Sequence, residues 1–228
     1  LLHLNNQEVL TTFKEQFPEH SKLFNGDLSF SHLPDNFNQA DIVYMKENPV
    51  WGMWIVILND SPTGIISIAK PSTGWGMVKL GFEPTTINQN IMPKAYAQVL
   101  AKLNPYIGKS VKYVKDIDNA DFSYHVATNE RLKCITFSGV QGYVTPTQDI
   151  ASLICQLKAG ARIGDYIYDY FKTKMLMHIL YYPPKMITPK ETDDKLRSII
   201  AIQEDLLIDD KREESLNKIY ALYQMSKT

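Results

Sequence analysis

The amino-acid sequence predicts an α+β fold. A mostly antiparallel sheet region covers about residues 41–144 and is interrupted by one helix; a helical C-terminal third follows and ends in an antiparallel helix hairpin. Three observations carry this reading. Short apolar runs rich in β-branched and aromatic residues, separated by Pro, Gly, Ser and Asn clusters, fill the middle of the chain. After Val144 apolar residues recur at spacings of three and four. Two tetrads in that stretch, Thr145-Pro146-Thr147-Gln148 and Thr188-Pro189-Lys190-Glu191, have the composition of capping boxes with Pro at the first helical position.

Taken in order, Leu10, Phe13 and Phe17 stand at helical spacing and predict a short amphipathic helix over about 6–17. Residues 25–39 are polar, with Gly26 and Pro34, and read as loop. Four strands are then expected, at Ile42 to Met45, Trp51 to Leu58, Gly64 to Ala69 and Met77 to Phe82. The Pro and Gly of the spacers supply the backbone angles that chain reversals need, so an antiparallel meander is expected. The strand from Trp51 to Leu58 is apolar on both faces and is placed centrally.

A helix is predicted over Asn90 to Leu103, with Pro93 in its first turn and Ala95, Val99 and Leu103 along one side. Strands resume at Val111 to Val114, Phe122 to Ala127 and Leu132 to Phe137. In the second of these, Phe122, Tyr124 and Val126 alternate with Ser123, His125 and Ala127, the pattern of a half-buried strand. From Val144 onward the reading is helical. It includes a helix over Ile163 to Leu180 and a final pair over about Pro189 to Leu207 and Lys211 to Met225, the last opening near Asp210. The domain reading is an N-terminal helix plus β-rich region at 1–144 with a helical region at 145–228 packed on it, as one cooperative domain.

With 228 residues, folding removes about 70% of the unfolded chain's surface from water, enough for a core without metal or disulfide. The formal net charge of -1 gives no global field toward nucleic acid or an anionic membrane. Cys134 and Cys155 form no spaced framework and read as buried free thiols. No apolar run approaches the roughly 18–20 residues that a spanning helix needs, and the N-terminus lacks the basic flank and apolar core of a secretory signal. A soluble chain is expected, in the cytoplasm or in an intracellularly assembled complex. It opens on Leu1 rather than Met and reads as a processed product or a fragment.

The familiar chemical motifs are absent. Gly108-Lys109-Ser110 ends like a P-loop, but Leu103 stands where that loop needs its first glycine. Gly74, Gly76 and Gly81 lack dinucleotide-binding spacing. His3, His20, His32, His125 and His178 include no pair four apart and no accompanying Cys-x-x-Cys, so no metal and no cofactor are expected. Asp116, Asp118 and Asp121 lack the glycine and terminal glutamate of a calcium loop. Ser138 and His125 suggest no nucleophile elbow.

The stretch over Ile163 to Leu180 draws attention because, wound as a helix, it is apolar around most of its circumference, with Asp165, Asp169 and Lys172 as a narrow polar strip. Its tyrosines fit a protein interface. The preferred function is therefore a non-catalytic interaction or structural subunit, an adaptor in a larger assembly with protein partners in a hetero- or homo-oligomer. Its interaction surface would comprise Tyr166, Tyr170, Lys174, His178, Tyr181 and Tyr182, with no catalytic residue assigned. The alternative is an enzyme acting on a small or phosphorylated substrate, with Lys174, His178 or His125 as its polar centre. Nucleic-acid binding ranks third, since Asp165 and Asp169 stand among the tyrosines.

Overall fold

The computed structural model describes residues 2–4, 52–58, 61–69, 74–82, 90–114, 132–146, 149–168 and 176–224. Its contacts divide the chain into two compact units, Leu1–Val140 and Gln141–Thr228. The α+β class holds in the alternation of strands and helices along the chain.

In the first unit, β1 (Leu2–Leu4), β2 (Gly52–Leu58), β3 (Ser61–Ala69) and β4 (Trp75–Phe82) lie side by side in that order, each pair antiparallel. The meander expected from the Pro and Gly spacers is present, and β2 is internal, between β1 and β3. Trp54 faces Ile66 across β2 and β3, and Ile68 faces Val78 across β3 and β4. All four are buried, so alternation sends one row of large side chains into one core face. Gly64 has a specific reason to be glycine: a Cβ there would stand 2.5 Å from the Phe82 ring and 2.7 Å from the Gly81 carbonyl oxygen.

Helix α1 (Ile91–Leu103) buries Ala95, Tyr96, Val99, Leu100 and Leu103, the stripe its spacing predicts. A second, two-stranded sheet pairs β5 (Ser110–Val114) with β6 (Leu132–Thr136). Gly108-Lys109-Ser110 leads into it. The Gly108 amide donates to the Phe137 carbonyl at 2.7 Å and the Phe137 amide donates to Lys109 at 2.8 Å, so this tripeptide extends a ladder and cradles no anion. The elements expected at 6–17, 42–45 and 122–127, with His125, lie outside the described residues.

β7 (Gly139–Val144), absent from the sequence reading, runs across the division into the second unit. There the strand order is β7, β9 (Leu176–Tyr182), β8 (Arg162–Tyr168). Helices α2 (Ile150–Lys158), α3 (Asp194–Gln203) and α4 (Asp209–Gln224) complete the unit, with a 3-10 turn at Asp205–Leu207 between the last two. Val144, Leu153, Leu157, Ile163, Leu180, Leu196, Ile199, Leu206 and Ile219 form one buried aliphatic cluster drawn from strands and helices alike.

The C-terminal third is therefore not helical throughout. The helix expected over Ile163 to Leu180 is the antiparallel β8–β9 hairpin. The strands are apolar on both faces, as the burial of six successive residues of β9 shows, and that double-sided pattern reads in sequence as a helix apolar around its circumference; the β8 register also slips between Ile163 and Asp165. β-branched and aromatic side chains, from Ile163 to Tyr182, favour the pleated surface instead.

The helix starts also shift. α2 opens on Asp149, whose carboxylate accepts from the Ser152 amide at 3.2 Å, four residues beyond Thr145. At the second tetrad the capping-box bonds do form: Glu191 accepts from the Thr188 amide at 3.0 Å and from its hydroxyl at 2.8 Å. They close a turn, and α3 opens later, where Asp193 accepts from the Leu196 amide at 2.7 Å. Among the described residues no helix is long and apolar enough to cross a membrane.

Candidate functional site

Alternation along the strands of the second unit sorts its side chains into two faces. Val144 and Leu180 belong to the aliphatic cluster with Leu153 and Leu157 of α2, so their neighbours two residues away, Gly142 and His178, share the helix-covered face. Tyr166 stands opposite His178 across β8 and β9 and packs against the same cluster. Around the aliphatic cluster stand buried polar side chains, of which Gln203 is satisfied by the Ile163 amide, donating to its Oε1 at 2.8 Å.

His178 is 0% exposed, and neither ring nitrogen has a hydrogen-bond partner among the described residues. Burial pushes its pKa down to about 4, so the imidazole is neutral at pH 7 and carries one donor and one acceptor nitrogen. Each buried polar group left unpaired costs about 1–3 kcal/mol. A leucine would fill such a position without that cost.

Gln156 of α2 is the second such group. It is 3% exposed, its Nε2 donates to Ser152 Oγ at 3.2 Å, and its Oε1 has no partner among the described residues. Its carboxamide lies directly on the backbone of β7: a Cβ on Gly142 would stand 2.1 Å from Oε1 and 2.7 Å from Cδ. Glycine at 142 is the condition for this side chain to reach the sheet.

Tyr166 is tied down. Its hydroxyl donates to the Asp193 carboxylate at 2.5 Å, which with that bond's charge pushes the phenol pKa up to about 12. The Lys195 ammonium sits 5.7 Å from its ring centroid. Asp193 thus caps α3 and anchors β8 with its two oxygens. Amide donation from Leu196 and the Tyr166 hydroxyl hold its carboxyl below the usual range.

On the opposite face, Tyr181 is buried beside Asp165, Tyr143 and Glu191, and desolvation first, then these groups, pushes its pKa up to about 12. Gly164 makes room for its ring, since a Cβ there would meet it at 2.7 Å. Lys185 lies 5.4 Å from the same ring centroid and pairs with Glu191 at 3.6 Å. These contacts clasp the segment after β9 to the sheet.

Of the residues expected to form an interaction surface, the structure thus buries His178 and Tyr181, half-buries Tyr166 and Tyr182 against the aliphatic cluster, and does not describe Tyr170 and Lys174. It brings His178 and Tyr166 together on one face and puts Tyr181 on the other. Gln156 and Gly142 were missed. Cys155 is buried, and desolvation raises its thiol pKa far above neutrality, so it is no nucleophile. Among the described residues no three His, Cys, Asp or Glu side chains gather as metal ligands.

No family model matches the sequence, and no curated protein matches it. Two solved structures resemble the fold. One, from Bacillus anthracis str. Ames, is described as a streptothricin acetyltransferase in complex with acetyl coenzyme A: 13% identity, TM-score 0.38, 60% of this chain and 66% of that one. The chain thus spans just under two thirds of that structure's length. The other is an IAA acetyltransferase from Bacillus cereus ATCC 14579: 13% identity, TM-score 0.43, 73% of this chain and 92% of that one. At these values neither assigns a role to any residue here. Both are enzymes, however, which runs against the expected non-catalytic adaptor or structural subunit, and that expectation is set aside.

Proposed function

We propose that the chain is an enzyme acting on a small polar substrate, with His178 as the polar centre of its site. The observation that supports this is the buried imidazole, opposite Tyr166, whose two ring nitrogens have no partner among the described residues. A fold that keeps an imidazole there at a cost in stability has a use for it. As a neutral base, His178 accepts the proton of an attacking hydroxyl or amine while its other nitrogen donates to an acceptor on the substrate. Group transfer between small molecules is one reaction class that uses this pairing.

A calorimetric screen of small amines and alcohols, each with and without acetyl coenzyme A as the first donor, tests the reading on wild type and His178→Gln. Turnover by the wild type that falls about a hundredfold in the variant is expected, the usual contribution of a positioned acid or base. Retention of full turnover by the variant, or no binding of any acceptor or donor by the wild type, overturns it.

A further inference from the structure

His178 is 0% exposed on β9, so a substrate reaches it only if a neighbouring group moves. β8 stands last in the strand order, and the β8 residue directly opposite His178 is Tyr166. Directly opposed residues of antiparallel strands hold their Cβ atoms about 5 Å apart on one face. Tyr166 packs against the aliphatic cluster of that face yet is only half-buried. Its ring therefore runs from beside the imidazole outward, where the hydroxyl ends on the exposed Asp193. We propose that Tyr166 is a gate over His178 and Asp193 its latch, so that release of this one side chain admits small molecules to the imidazole. The inference concerns access to the site proposed above and rests on the enzyme reading for its use, not for its geometry.

The polar ties on Tyr166 lie at its outer end. Its hydroxyl donates to the Asp193 carboxylate at 2.5 Å, and the Lys195 ammonium stands 5.7 Å from the ring centroid. Both partners belong to the start of α3 and not to the sheet, so the ring can swing away without breaking a strand ladder. Asp193 is itself fixed, because its other oxygen accepts from the Leu196 amide at 2.7 Å. The acceptor thus stays in place whether or not the tyrosine is on it, as a latch must. At pH 7 the latch is set: the bond to Asp193, with desolvation and the nearby carboxylates, pushes the phenol up to about 12, so the hydroxyl keeps its proton. Losing a hydrogen bond to a charged acceptor moves a balance between closed and open forms about tenfold.

Diethyl pyrocarbonate, a small reagent that acylates a neutral imidazole only where it can reach a ring nitrogen, measures the gate. Its rate of reaction at His178 is followed at pH 7 by mass spectrometry of the peptide carrying that residue. Two variants release the latch and keep the fold: Tyr166→Phe retains the ring without its hydroxyl, and Asp193→Asn retains an N-cap of equal quality while exchanging the charged acceptor for a neutral one. The expected result is slow reaction in the wild type, about tenfold faster reaction in Tyr166→Phe and a smaller gain in Asp193→Asn, with amide exchange at the buried Ile199 of α3 unchanged. No gain in either variant, a gain confined to one of them, or a gain matched by faster exchange at Ile199, the mark of general loosening, overturns the inference. Turnover measured on the same samples keeps the two readings apart: faster acylation without turnover in any sample removes the enzyme reading and leaves the gate, and turnover without faster acylation does the reverse.

Discussion

The helix-covered face of the second unit has two ends built on opposite principles. At one, Leu157, Ile163, Leu180, Ile199, Leu206 and Ile219 interlock, and the buried Gln203 is satisfied there by the Ile163 amide, which donates to its Oε1 at 2.8 Å. At the other, His178 of β9 and Gln156 of α2 present polar atoms without partners among the described residues. The first end lowers the free energy of folding by removing apolar surface from water. The second raises it by desolvating groups that water would have bonded. A contrast between adjoining parts of one layer is what a site looks like when stability and chemistry make opposite demands.

The largest effect is expected from damaging the aliphatic end. Leu206 is 0% exposed in the turn between α3 and α4 and contacts both strand and helix residues through the cluster. Leu206→Ala should lower the unfolding free energy by about 2–5 kcal/mol, from lost transfer energy plus the cavity left behind. Urea denaturation measures it. A loss below about 1 kcal/mol would mean this end is not the source of the unit's stability.

The opposite sign is expected at the polar end. His178→Leu removes the unpaired nitrogens and should raise stability at pH 7 by about 1–3 kcal/mol. Its pH dependence is a sharper reading. The imidazole titrates near 6.5 in the unfolded chain and about 4 in the fold, so the unfolded state binds the proton first. The wild type holds its full share of stability above pH 6.5 and loses it as pH falls through about 4. Subtracting the His178→Leu curve from the wild-type curve isolates this histidine from the carboxylates that titrate in the same range. A flat difference between pH 7 and pH 4 would show that the ring is not sealed from water.

Much of this architecture was legible, and the exceptions have physical causes. β2, β3, β4 and α1 were read within a few residues of their bounds because each carries a single clean period between strong turn residues. The β8–β9 hairpin was read as a helix because both faces of its strands are apolar enough to hide the two-residue alternation. His178 could be named from the sequence as a polar residue in an apolar arc, but not its isolation, which depends on strands and helices meeting from distant parts of the chain. Gln156 gave no local sign. Its role arises only when α2 lies across β7 and Gly142 leaves the space.

The smallest effects come from the two caps that precede α3, and they test how far a sequence motif defines a helix start. Asp193 bonds the Leu196 amide and the Tyr166 hydroxyl, joining α3 to β8. Asp193→Ala should cost about 0.5–2 kcal/mol, the usual range for a lost N-cap, and should bring the Tyr166 phenol down from about 12 toward its ordinary value. An ultraviolet pH titration of the tyrosines reads the second effect directly. Thr188 completes a better-looking capping box, yet its bonds to Glu191 close an exposed turn five residues earlier. Thr188→Ala should therefore stay within about 0.5 kcal/mol of wild type and leave amide exchange at Leu196 unchanged. If it unravels the start of α3 as Asp193→Ala does, the turn and the helix form one cooperative cap, and Asp193 is only its inner half.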